Sequence, residues 1–102
     1  MPPLMICKFN LDTQSTCLEV PGCVALLDVA GQHDTLRVWA LVDQEMLDEI
    51  HYIKVRILGT GNLVSYSNLQ ELKYWKTWHT KNGYVWHVFI DKRYPIGYEG
   101  GE

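Results

Sequence analysis

His51-Tyr52-Ile53-Lys54-Val55-Arg56-Ile57-Leu58 alternates strictly, with Ile53, Val55 and Ile57 on one side and Tyr52, Lys54 and Arg56 on the other. A period of two is that of a strand with one buried and one wet face, the pattern of an antiparallel sheet. Outward from it the same grammar recurs. Downstream, Leu72–Thr80 and Tyr84–Asp91 read as strands around Lys81-Asn82-Gly83, a hairpin signal in which Asn82 and Gly83 supply positive φ. Between Leu58 and Leu72, Gly59-Thr60-Gly61-Asn62 punctuates the chain, and the Ser/Asn-rich stretch through Asn68 reads as the main loop.

Upstream, Leu36–Val42 is a nearly continuous apolar run, which predicts a central strand buried on both faces. Gly31-Gln32-His33-Asp34 would join it to the run Val24–Ala30 as a hairpin. Asp43–Glu49 is acidic, with Met46, Leu47 and Ile50 at helical spacing, and predicts one or two helical turns capped by Asp43. Pro21-Gly22 marks a turn after the short strand Cys17–Val20, and Met5, Cys7, Phe9 and Leu11 alternate with Ile6, Lys8 and Asn10 in a first strand. β-Branched and aromatic residues make up 33 of 102 positions against three alanines, a strand composition. The expectation is an all-β fold: a small antiparallel β-sandwich or partly open barrel with one short helix. Residues 1–102 are expected to form one domain, ordered over about 4–96 with a mobile C-terminal tail.

Nine basic and twelve acidic residues give a net charge of −3 with no basic run, which disfavours nucleic acid as a partner. No apolar stretch approaches a membrane span, and the amino terminus lacks an export signal. Three cysteines, Cys7, Cys17 and Cys23, lack metal-ligand spacing and point to a reduced, cytoplasmic chain, with Cys7 and Cys23 as buried filler.

Gly59, Thr60, Gly61 and Asn62 follow a strand, where backbone amides can approach a phosphate. The lysine and helix of a phosphate loop are missing, so a plain turn is the simpler reading and a nucleotide site the alternative. His79 and His87 flank the Asn82-Gly83 turn. A two-residue turn places them on opposite faces, whereas a three-residue loop with a bulge opposes Thr77 to His87 and places both on one face. A metal would still need a third ligand from His33, His51 or a distant carboxylate, and zinc sites show tighter local spacing, so neither metal nor cofactor is expected. The acidic residues Asp43, Glu45, Asp48 and Glu49 read as a solvated face. Tyr74, Trp75, Trp78, Tyr84, Trp86 and Phe89 exceed the needs of a core this small, and alternation puts some of them on the far face.

Three segments in order, Val38-Trp39-Ala40-Leu41-Val42-Asp43, Ile57-Leu58-Gly59-Thr60-Gly61 and Val85-Trp86-His87-Val88-Phe89, resemble a family of small uncharacterised bacteriophage and prophage proteins. Leu18-Glu19-Val20-Pro21-Gly22 sits where that family has a similar segment, and the resemblance spans about residues 5–91. Gln44 stands where many members have proline, and Asn62-Leu63 where they have His-Pro, so no shared histidine follows the glycines. The resemblance implies a phage accessory protein in the host cytoplasm and brings no activity. The expected function is non-enzymatic binding that blocks a host or anti-phage defence protein, with Tyr74, Trp75, Trp78 and His79 as surface candidates and self-association through an aromatic sheet face. The alternative is a sponge for a cyclic or ADP-ribose-type nucleotide messenger, held at Gly59–Asn62.

Overall fold

The computed structural model describes residues 3–32 and 35–99. In chain order the elements are β1 (Leu4–Leu11), β2 (Cys17–Pro21), β3 (Cys23–Gln32), β4 (Thr35–Asp43), β5 (Ile50–Gly59), α1 (Tyr66–Leu69), β6 (Leu72–His79) and β7 (Val85–Asp91). They form two antiparallel sheets, β1-β4-β3 and β2-β5-β7-β6, packed as a sandwich that does not close into a barrel among the described residues. The all-β class with one short helix is therefore observed.

The alternation read from the chain decides which side chains meet. Cys7, Phe9 and Leu11 stand opposite Ala40, Val38 and Leu36 on the inner face of the first sheet. They pack toward Leu18, Val20, Ile53, Val55, Ile57, Val88 and Ile90 of the second. Each fully buried aliphatic side chain contributes about 1.5–3 kcal/mol relative to exposure. β4 is central in its sheet, as expected: Leu36, Val38, Ala40 and Val42 are buried on its inner face, and on its outer face Leu41 is buried whereas Arg37 and Trp39 are half-buried. The register partners of Trp39 are Lys8 and Asp28. The β3–β4 hairpin forms with Gln32 opposite Thr35, so its connection is residues 33–34, which lie outside the described residues.

Between β2 and β3 the chain changes sheet within a single residue. Gly22, between β2 and β3, has φ +62°, donates its N–H to Glu49 O (2.8 Å) and accepts from Asp43 N–H through its carbonyl (2.8 Å). A Cβ there would lie 2.7 Å from Asp43 O. This corner also explains why Asp43–Glu49 is not the helix its spacing predicts. The segment makes two successive turns, Met46 N–H to Asp43 O (3.1 Å) and Glu49 N–H to Met46 O (3.0 Å). Asp43 Oδ1 accepts from Glu45 N–H (2.9 Å), so Asp43 caps a turn. Glu49 O is taken by Gly22, and Gln44 N–H by Pro3 O. Those long-range bonds outcompete a weak local helical preference. The helix is instead the single turn Tyr66–Leu69, inside the stretch expected to be irregular. β5 and β6 flank β7 and run parallel, so a crossover must join them, and α1 lies in that crossover.

The segment from Asp91 to Gly97 is tied down by polar bonds. Asp91, 1% exposed, accepts from Lys54 N–H and receives both Nε and Nη2 of Arg93. The Arg93 hydrogen bonds outweigh burial and hold its carboxyl down at about 2. Beyond it, Leu26 N–H donates to Pro95 O and Gly97 N–H to Leu26 O, so the aperiodic tail runs parallel to the rim of β3. Residues 100–102 of the tail expected to be mobile lie outside the described residues.

Gly22→Ala is expected to destabilise the fold by about 3 kcal/mol, combining left-handed strain with the clash against Asp43 O. Urea unfolding tests this, and an unchanged midpoint would contradict the corner's role. Asp91→Asn is expected to lose on the order of 2 kcal/mol at neutral pH. Because the Arg93 hydrogen bonds, against the opposing effect of burial, depress the folded-state value below the ordinary 3.8, that stability is present above pH about 4 and disappears as pH falls to about 2. The wild-type and variant midpoints should therefore converge across that window, and parallel curves would contradict the assignment.

Candidate functional site

The β6–β7 hairpin selects between the two registers open in the sequence. Thr80 and Tyr84 close a three-residue loop, with Thr80 N–H donating to Tyr84 O (2.9 Å), Tyr84 N–H to Thr80 Oγ1 (3.1 Å) and Gly83 at φ +87°. Thr77 therefore opposes His87, and Trp78 opposes Trp86. A bulge between Tyr74 and Lys76 leaves Trp75 as the extra residue. Trp75 packs on the core, while Lys76, opposite buried Val88, reaches Asp28 of β3 in an ion pair.

This geometry divides the surface set. Tyr74 lies on the outer face, 54% exposed, with its ring edge-on to Phe89 (5.8 Å, 73°) and its hydroxyl against Thr77 Oγ1 (2.6 Å). His79 is exposed opposite Val85. Trp75 and Trp78 turn to the core side, so the four residues do not form one surface. Trp78 sits directly over Gly31 of β3, where any Cβ would overlap its indole nitrogen. An isolated glycine inside a strand signals such close approach, and Gly31 is the sequence signal that points to this packing.

Trp78 and Trp86 form one wall of a cleft of about 350 Å³ at the end of the sandwich. Leu11 and Leu36 line it from the first sheet, Tyr84 stands at its rim, and Asp12, Thr13, Thr35, Thr80 and Asn82 add polar groups. Asp12 organises its loop: its Oδ1 accepts from Gln14 N–H (2.8 Å), its N–H donates to Ser15 Oγ (3.0 Å) and its carbonyl accepts from Ser15 N–H (3.1 Å). Among the described lining residues Asp12 carries the only formal charge. Asp12, Thr13 and Thr35 are far in sequence from the aromatics and were not legible as site residues; no local motif marks them.

Tyr84 and Trp86, tilted 30° with centroids 6.5 Å apart, also face a second hollow beside Gly59, Thr60 and Asn62. Gly59 opposes Trp86 across the β5–β7 ladder. Two amides of the glycine segment are engaged, Thr60 N–H with Val85 O (3.1 Å) and Asn62 N–H with Gly59 O (3.1 Å). Gly61 turns at φ +89° with open space beside it. Thr60 Oγ1 meets His87 Nε2 (2.7 Å) and Thr77 Oγ1 meets its Nδ1 (3.1 Å), so both ring nitrogens of His87 are occupied.

Elsewhere, Glu49, His51 and Tyr94 form a chain, with Glu49 Oε1 to His51 Nε2 at 3.2 Å and His51 Nδ1 to Tyr94 Oη at 3.0 Å. Burial raises the Tyr94 phenol, which opposes its ionisation, and the chain ties the tail to β5. Burial likewise pushes the Cys23 thiol up to about 11, away from nucleophile chemistry. The three cysteines are free, and among the described residues no His/Cys/Asp/Glu group could hold a metal ion. No helix of the described residues is long and apolar enough to cross a membrane.

A family model described as a domain of unknown function, DUF7352, matches residues 4–96. No curated protein and no solved structure matches the chain.

Gly31→Ala is expected to displace Trp78 and cost about 1–3 kcal/mol by overpacking. Near-UV circular dichroism reads the tryptophan environment directly, and an unchanged spectrum would contradict this packing.

Proposed function

The chain belongs to the DUF7352 family, defined by a domain of unknown function, and we propose that it is a non-enzymatic binding protein whose recognition surface is the aromatic end of the sandwich. The observation that carries this reading is the cleft itself: Trp78 and Trp86 held on rigid paired strands, a tyrosine at the rim 65% exposed, and convergent hydroxyl and amide groups. Tyrosine and tryptophan are the residues that dominate protein–protein hot spots, because they present large contact areas at little conformational cost. The favoured occupant is a partner protein that inserts a neutral or basic segment, since Asp12 is the only formal charge among the described lining residues. In the setting implied by the resemblance to phage and prophage proteins, that partner is a host or defence protein in the host cytoplasm, blocked by capture.

The nucleotide-sponge reading draws less support. A phosphate needs free donors or cations, and two amides of the Gly59–Asn62 segment already bond to Val85 and Gly59.

Replacing Tyr84 by Ala is expected to weaken partner capture by about thirtyfold or more, as for a hot-spot residue, while the melting midpoint stays close to wild type. Tyr74→Ala, on the outer face, should leave capture unchanged. Quantitative pull-down from host cells checks both, with native mass spectrometry to detect a small-molecule adduct. Capture that survives Tyr84→Ala but is lost with Tyr74→Ala would move the surface to the outer face, and an adduct without a protein partner would replace capture by ligand sequestration.

A further inference from the structure

A sandwich of two open sheets has four edge strands, each a template for another chain unless it is blunted. Three are blunted here. β3 is bonded at Leu26 by Pro95 and Gly97, β6 carries the bulge at Trp75 with Lys73 and Lys76, and β2 has five residues and ends on Pro21. β1 has eight residues, Leu-Met-Ile-Cys-Lys-Phe-Asn-Leu, and occupies the end of its sheet.

The hydrogen-bond parity of that edge follows from one contact. Gln44 N–H donates to Pro3 O, in line with the β1–β4 register that pairs Leu4 with Asp43 and Met5 with Val42. Residues of one strand direct their N–H and C=O to alternate sides, so Met5, Cys7, Phe9 and Leu11 bond to β4. Leu4, Ile6, Lys8 and Asn10 therefore direct theirs to the open edge. The apolar side chains there are exposed, Met5 by 47% and Ile6 by 61%. Lys8, the one charge on the strand, does not guard the edge: its Nζ reaches across Trp39 to Gln32 Oε1 on β3 (3.3 Å).

From this edge we infer that the protein forms a two-fold dimer by antiparallel β1–β1 pairing centred on Cys7, joining the two three-stranded sheets into one. The strand is self-complementary in that register. Leu4 pairs with the second copy's Asn10 and Ile6 with its Lys8, which satisfies every outward N–H and C=O with about eight hydrogen bonds. Met5 meets Phe9 on the inner face, and Cys7 meets Cys7 as a non-hydrogen-bonded pair, the closer kind. Shifting the register by two residues one way opposes Lys8 to Lys8, and the other way leaves Asn10 unpaired.

Sedimentation equilibrium of the full chain at micromolar concentration is expected to show a dimer. Ile6→Pro removes an outward N–H that makes no bond to β4, so the variant should sediment as a monomer with cooperative unfolding retained. A Cys17→Ser/Cys23→Ser chain under mild oxidation should form a Cys7-linked dimer, a readout independent of whether the proline variant folds. A wild-type monomer, or a dimer that survives Ile6→Pro, would overturn the proposal. A dimer without the Cys7 link would overturn the register, and a β1 edge occupied only by a different protein would overturn self-pairing.

Discussion

Gly22 is the residue on which the two sheets depend. With one residue between β2 and β3, the backbone must turn sharply while leaving one hydrogen-bonded ladder and entering another. It does so at positive φ, and both its backbone polar groups are satisfied by the β4–β5 connection, through Glu49 O and Asp43 N–H. The same connection takes Pro3 O through Gln44 N–H. The start of β1, the β2–β3 corner and the β4–β5 turns are thus one hydrogen-bonded assembly at one end of the sandwich. The opposite end, where the β1–β2 loop and the β6–β7 hairpin converge, is left to aromatic packing and the cleft.

This division accounts for what could be read from the chain. Strands 51–58, 5–11 and the arms around Asn82-Gly83 were legible because a period of two is a local signal and the core enforces it. The helix was misplaced because Met46, Leu47 and Ile50 carry the right spacing, while the bonds that decide the segment come from Gly22 and Pro3, distant in sequence. β4 reads as doubly buried from the nearly continuous apolar run Leu36–Val42, yet on its outer face Leu41 is buried while Arg37 and Trp39 are only half-buried. Hydrophobicity alone does not reveal how far each face is covered.

The site was legible in its parts and not in its assembly. The aromatic surplus around the hairpin was visible, and the split between Tyr74 and Phe89 outside and Trp78 and Trp86 inside follows from alternation once the register is known. The bulge that turns Trp75 to the core leaves no sequence mark. Asp12, Thr13 and Thr35 join the cleft only because β1, β4 and the hairpin end at the same level of the sandwich. The glycine segment, read as an anion cradle or a turn, spends two amides on backbone bonds and lies against the far side of Trp86.

We propose the Trp78–Trp86 end of the sandwich as the place where the protein meets its partner. Hydrogen exchange measured on the captured complex against the free protein tests it most directly, because burial at an interface slows amides locally. Added protection is expected in residues 11–13 and 78–86. Protection confined to the outer face around Tyr74, with the cleft segments unchanged, would contradict it.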